Sequence, residues 1–72
     1  MFNVGDKVRF LHDKLMELPD ETWSFKKDDI FEVDSADPLL VTAIGPIGSK
    51  NAKRICFENK FNEQLEKVNE NV

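Results

Sequence analysis

Apolar residues in this chain recur mainly at every second position, in short blocks separated by turn-forming residues. Lys7-Val8-Arg9-Phe10 alternates charge with bulk, the period of a strand that buries one face. Gly5-Asp6 ahead of it reads as a turn or bulge that feeds a curved sheet. Asp29-Ile30-Phe31-Glu32-Val33-Asp34 alternates again, and Ser35-Ala36-Asp37-Pro38 carries turn chemistry. Leu39 to Ile44 is rich in β-branched residues and reads as a central strand paired with the one before it. Gly45 to Ala52 is a loop, and Lys53-Arg54-Ile55-Cys56-Phe57-Glu58 is a further alternating strand with Cys56 on its outward face.

Two segments are less regular. Leu11 to Asp29 is a long connection in which Asp13 is expected to cap a short helical turn carrying Leu15, Met16 and Leu18, stopped by Pro19. Trp23 and Phe25 then alternate around Ser24. A connection this long in a small domain is usually functional or packed by its own side chains. At the other end, Phe57, Phe61, Leu65, Val68 and Val72 recur at a helical period. The favoured alternative is a 3₁₀ turn at 59–62 followed by a closing strand at 65–68, because Asn59, Asn62, Asn69 and Asn71 are poor helix formers. The expected organisation is one domain over residues 1–68 with a frayed tail at 69–72.

The predicted class is all-β: a small barrel of four to five antiparallel strands with a 3₁₀ turn near the C-terminus, the alternative being a sheet plus a C-terminal helix. Val4-Gly5-Asp6-Lys7-Val8-Arg9-Phe10 is similar to the opening strand of many SH3-like barrels, among them KOW-type domains and the variable chain of ferredoxin–thioredoxin reductase. Phe57-Glu58-Asn59-Lys60-Phe61, with Leu65 and Val68, is similar to that variable chain's closing segment. The resemblance covers about a quarter of the chain. It implies an SH3-like fold and, from its different branches, either docking on a partner protein or contact with RNA. Signalling SH3 domains grip proline-rich peptides in a tyrosine-lined groove, and this chain has no tyrosine. Small proteins of this type are also common among phage-encoded factors that bind and redirect host proteins.

Composition narrows the functions. Seventy-two residues with a single cysteine and a single histidine leave few reactive groups. A His12–Cys56 nucleophile pair would also need an orienting group and an oxyanion hole, so no catalytic residue is expected. Zinc needs three or four ligands at set spacing, and the acidic stretch Asp28, Asp29, Glu32, Asp34 and Asp37 lacks the tight glycine loop of a hard-cation site. No metal and no cofactor are expected. No apolar run is long enough to span a membrane, and a lone cysteine suits a reducing compartment, so the expected setting is the cytoplasm. Formal net charge is −4, which weakens nucleic-acid binding.

Two surfaces remain as candidates. The first is a protein-binding surface made by Leu15, Met16, Trp23 and Phe25 of the long connection with Ile47 of the glycine loop. Trp23 has two readings there: a cap on a thin core, or a binding hot spot. The second is a phosphate-contacting patch of Lys50, Lys53, Arg54 and Lys60, with Lys7 and Arg9 nearby. The expected role is a non-catalytic accessory or phage-type regulatory protein that docks on another protein. The alternative is a KOW-like nucleic-acid-binding module.

Overall fold

A computed structural model describes residues 1–60 and 63–68. Seven strands make up the regular structure: β1 (Lys7–Phe10), β2 (Lys14–Glu17), β3 (Thr22–Phe25), β4 (Ile30–Ala36), β5 (Leu40–Gly45), β6 (Lys53–Glu58) and β7 (Leu65–Lys67). Five of them form an antiparallel sheet in the order β6-β5-β4-β1-β7. The sheet curls into a half-barrel, and β2 and β3 pair only with each other as a separate hairpin. The molecule is therefore all-β, and no helix occurs among the described residues.

The alternation read from the sequence sets which side chains enter the half-barrel. Val8 and Phe10 from β1, Phe31 and Val33 from β4, Val41 and Ala43 from β5, Ile55 from β6 and Leu65 from β7 are all buried. Phe2 and Phe25 complete this core. Phe10, Phe25 and Phe31 form its aromatic centre. Phe25 stacks on Phe10 with centroids 5.9 Å apart and meets Phe31 edge-on at 5.0 Å. Such ring pairs add about 0.5–1.5 kcal/mol each beyond their burial.

Sheet curvature has local causes. β4 carries a bulge at Asp34, where the register steps from Val33↔Ala43 to Ser35↔Thr42. The extra residue re-phases the strand, so that Ala36 rather than Ser35 turns inward, and a bulge of this kind bends and twists its strand. Gly5 lies at φ +93° in the turn that leads into β1. The turn is closed by the Asp6 N–H donating to the Asn3 carbonyl and the Asn3 N–H donating to the Asp6 carboxylate. This is the turn expected from Gly5-Asp6, with glycine at the left-handed position that other residues avoid.

Gly45, at the end of β5, is needed for closeness rather than for φ. A Cβ there would fall 2.7 Å from the Ile30 carbonyl oxygen and from two ring carbons of Phe31.

Asn59 is the one buried polar residue among those described. Its Oδ1 accepts from the Phe2 N–H at 2.6 Å, its Nδ2 donates to the Asp37 carbonyl at 2.6 Å, and its own N–H donates to the Leu39 carbonyl at 2.9 Å. One side chain thus ties together the N-terminal segment, the β4–β5 turn and the end of β6. Phe2, held there, packs edge-on against Phe57 at 5.3 Å.

One expected element requires correction. The helical turn expected at Leu15, Met16 and Leu18 is instead strand β2 with Leu18 just beyond it, and Asp13 does not cap a helix. Asp13 closes the base of the hairpin, accepting the Lys27 N–H at 3.0 Å. The closing strand expected at 65–68 is present as β7, which pairs antiparallel with β1 through Phe10↔Leu65 and Val8↔Lys67, and the helical alternative for this segment falls away. The 3₁₀ turn expected at 59–62 falls partly outside the described residues, and the frayed tail at 69–72 lies wholly outside them.

Candidate functional site

The hairpin β2–β3 is the element that the half-barrel does not absorb. Its arms pair in the register Lys14↔Phe25, Leu15↔Ser24, Met16↔Trp23 and Glu17↔Thr22. The Leu18 N–H donates to the Glu21 carbonyl at 2.8 Å and closes the tip over Pro19 and Asp20. Strand alternation divides its side chains into two sets. Met16, Trp23 and Phe25 face the half-barrel and pack on its core. Leu15 faces the other way and is 59% exposed, with exposed Glu17, Thr22 and Ser24 around it.

The expected protein-binding surface is therefore only partly assembled. Phe25 does not belong to it: at 3% exposure it is a core residue. Strand alternation shows which face of β3 it occupies but not how far in it reaches, and stacking on Phe10 draws it to the centre. Trp23 is half-buried, as is Met16, its cross-strand partner. Trp23 lines a hollow of about 220 Å³ with Pro46, Ser49, Asn51 and Lys53, so the structure does join this residue to the glycine loop. The Lys53 ammonium lies 5.5 Å from the ring centroid, within cation–π range. The indole N–H is buried with no hydrogen-bond partner. Such a donor costs about 1–3 kcal/mol if it stays unsatisfied. Ile47 is half exposed in a neighbouring hollow with Asp28, Asp29, Ile30 and Pro46, and its N–H donates to the Ile30 carbonyl at 2.7 Å. Leu15 stands apart on the hairpin's outer face.

The basic residues do not converge. Lys53 opens β6 and Lys60 lies beyond its far end, so the extended rise of the strand, about 17 Å, holds them apart. Lys60 borders a different hollow, with Pro38, Leu39, Leu40 and Glu58. Arg54 is paired with Asp34 at 2.9 Å. Lys7 and Arg9 do not join the patch. Lys7 pairs with Glu32 at 3.0 Å, and Arg9 bridges Glu66 and Asp28 across β7 and the β3–β4 turn. Only Lys50 and Lys53 remain together at the glycine loop.

Acidic residues 28–37 serve local structure. Asp29 accepts the Lys26 N–H at 2.9 Å. The Thr42 hydroxyl donates to Asp34 at 2.6 Å and, with Arg54 beside it, holds that carboxyl below the ordinary carboxylate range. Asp37 accepts the N–H groups of Leu40 and Leu39 at 2.5 and 2.7 Å, which lowers its pKa likewise. No group of three or more His, Cys, Asp or Glu side chains is gathered to hold a metal among the described residues. His12 and Cys56 are both exposed. Cys56 lines a groove with Ile55, Phe57 and Glu58, in which His12 takes no part.

The sequence reading missed one apolar patch. Leu39 is 77% exposed and Leu40 half exposed at the β4–β5 turn, beside exposed Pro38. The run from Leu39 to Ile44 looked uniformly strand-like, yet Asp37 and Asn59 hold Leu39 in the β4–β5 turn, and Leu40 opens β5 in an exposed position. The signal available was Asp37-Pro38, an Asx-type turn starter directly ahead of the leucines.

No protein-family model, no curated protein and no solved structure matches this chain. No helix among the described residues is long and apolar enough to cross a membrane.

Proposed function

We propose that this protein is a non-catalytic, SH3-like binding module that docks on another protein through the β2–β3 hairpin and the adjoining glycine loop. The SH3-like reading is supported by chain order. A hairpin inserted after the first strand, a three-strand meander (β4-β5-β6) and a last strand returning to β1 follow the order of that class. A fold of this class does not name a function, so the functional reading rests on the surface.

One observation carries it. The hairpin presents exposed Leu15 on one face and, on the other, half-buried Trp23 at the rim of an open hollow. A partner covering that rim would bury the remaining ring surface. Half-buried Trp in a rigid frame is the usual form of an interface anchor. The role that fits is that of an accessory or regulatory protein. Nucleic-acid binding is the weaker reading, because the lysines and arginines expected to act together are dispersed or already paired.

The test is capture from native cell extract by immobilised protein, with the partner identified by mass spectrometry. Leu15→Glu and Trp23→Ala should each abolish capture of that partner while circular dichroism stays native. Leu39→Ser, at the other apolar patch, should not. Retained capture by both hairpin variants would overturn the assignment. Binding to mixed RNA and DNA that is strong at low salt and collapses steeply as salt rises would favour the nucleic-acid reading instead.

A further inference from the structure

β6 is an edge strand whose sequence is complementary to itself. It ends the five-stranded sheet, and β5 is its only strand partner among the described residues. Its Ile55–Glu58 half opens onto a groove of about 430 Å³, bounded across the gap by Lys14 and Met16 and by residues 63–65. An edge strand offers a row of backbone donors and acceptors to any extended chain that reaches it.

We infer that β6 pairs antiparallel with β6 of a second copy, about a two-fold axis at Cys56. In that register Arg54 lies opposite Glu58 of the second copy, and Glu58 lies opposite its Arg54. Ile55 lies opposite Phe57, and Cys56 opposite Cys56. The faces agree as well. Arg54, Cys56 and Glu58 are exposed on the outer side, whereas Ile55 and Phe57 turn toward the core side. Opposite charges therefore meet on the wet face and apolar side chains meet on the dry one, the two pairings that stabilise adjacent strands. Glu58 makes no ion pair with a described residue, while Arg54 reaches Asp34 through one terminal nitrogen of its fork. Shifting the register by one residue would set outward residues against inward ones, so face burial favours this alignment or one shifted by two. Of these, the alignment centred on Cys56 is the one that matches both charges.

The occupant is a second copy rather than an unrelated strand because charge complementarity is reciprocal about the axis. A two-fold interface must be complementary to itself, and Arg54 and Glu58, placed symmetrically two residues either side of Cys56, meet that requirement. Pairing of one strand covers less than the roughly 1,200 Å² of a standard stable interface, so association is expected to be concentration-dependent.

Sedimentation equilibrium of the full chain, from micromolar to about millimolar concentration, reads the mass directly. The expected result is a reversible rise from 8.3 kDa toward twice that value. Arg54→Glu and Glu58→Arg alone should each weaken association by at least about tenfold, because every pairing then sets like charges together. Mixing the two single variants should restore a heterodimer, and the double variant R54E/E58R should pair with itself. That rescue separates a pairing defect from a folding defect. Opposed Cys56 residues, with Cβ atoms about 5 Å apart, should also be joined efficiently by a short bismaleimide. The inference is overturned by a constant monomer mass, by single variants that associate like the parent, by failure of either rescue, or by growth beyond two copies. The last result would mean that β6 meets a different edge.

Discussion

Replacing Asn59 with alanine removes more than its 5% exposure suggests. Its side chain makes two hydrogen bonds, to the Phe2 N–H and from its own Nδ2 to the Asp37 carbonyl, both at 2.6 Å. Each such bond is worth about 1 kcal/mol net, but a buried partner left unmatched costs about 1–3 kcal/mol. The Phe2 N–H is in a buried setting and would lose its acceptor, while the Asp37 carbonyl sits nearer to water. The expected loss for Asn59→Ala is therefore about 2–4 kcal/mol. Domains of this size are stable by roughly 5 kcal/mol, so about half of the stability is at stake. Urea unfolding followed by the fluorescence of Trp23, the chain's single tryptophan, measures it directly. Asn59→Asp keeps an acceptor for Phe2 but sets a buried carboxylate oxygen against the Asp37 carbonyl oxygen, and should cost at least as much as the alanine variant. If Asn59→Ala unfolds within about 0.5 kcal/mol of the parent, the view that one amide anchors three segments is wrong.

Four further outcomes follow from the same geometry. Gly45→Ala should cost about 1–3 kcal/mol in thermal or urea unfolding, since its Cβ would press on the Ile30 carbonyl and the fully buried Phe31 ring. Phe25→Ala should cost about 3–5 kcal/mol, whereas Leu15→Ala should stay within about 0.5 kcal/mol, because the first empties the aromatic centre and the second trims an exposed side chain. Trp23→Phe should lose less than about 1 kcal/mol in urea unfolding, because the smaller ring gives up packing but also removes the buried unpartnered N–H. Asp34 and Asp37 both have folded pKa values below the ordinary 3.8, so their contribution is complete above that pH and is lost as pH falls through the folded values. The urea midpoint should drop on acidification below about pH 4, and Asp37→Asn should flatten that drop.

What the sequence made readable was the sheet. Val8 and Phe10, Phe31 and Val33, and Ile55 within β6 alternate with polar neighbours because each strand buries one face, and a period of two survives into the residue order. Fates set by distant contacts were harder to read. Leu15 and Met16 are adjacent, and with Leu18 they resemble a helical turn. Four residues cannot separate the two periods, and pairing with β3 decides the matter. Phe25 and Trp23 share a face, yet only Phe25 finds Phe10 and Phe31 to stack on. The lysines and Arg54 between positions 50 and 60 look like one patch until the extended rise of β6 carries Lys60 away from Lys50. Asn59 carried a local clue to a break in structure, but its three partners lie 20 or more positions away and left no trace beside it.

The hairpin's separate hydrogen bonding has a further consequence for how such a protein can change. Its two arms pair with each other, and its tip is closed within residues 18–21. Insertions at Pro19-Asp20 would thus add loop without breaking any rung of the five-stranded sheet, and each doubling of loop length costs only about 0.6 kcal/mol. Residues at this tip are free to vary in length and charge while Met16, Trp23 and Phe25 keep the base seated. A lineage under pressure to recognise new targets could rewrite the tip and leave the half-barrel as it is.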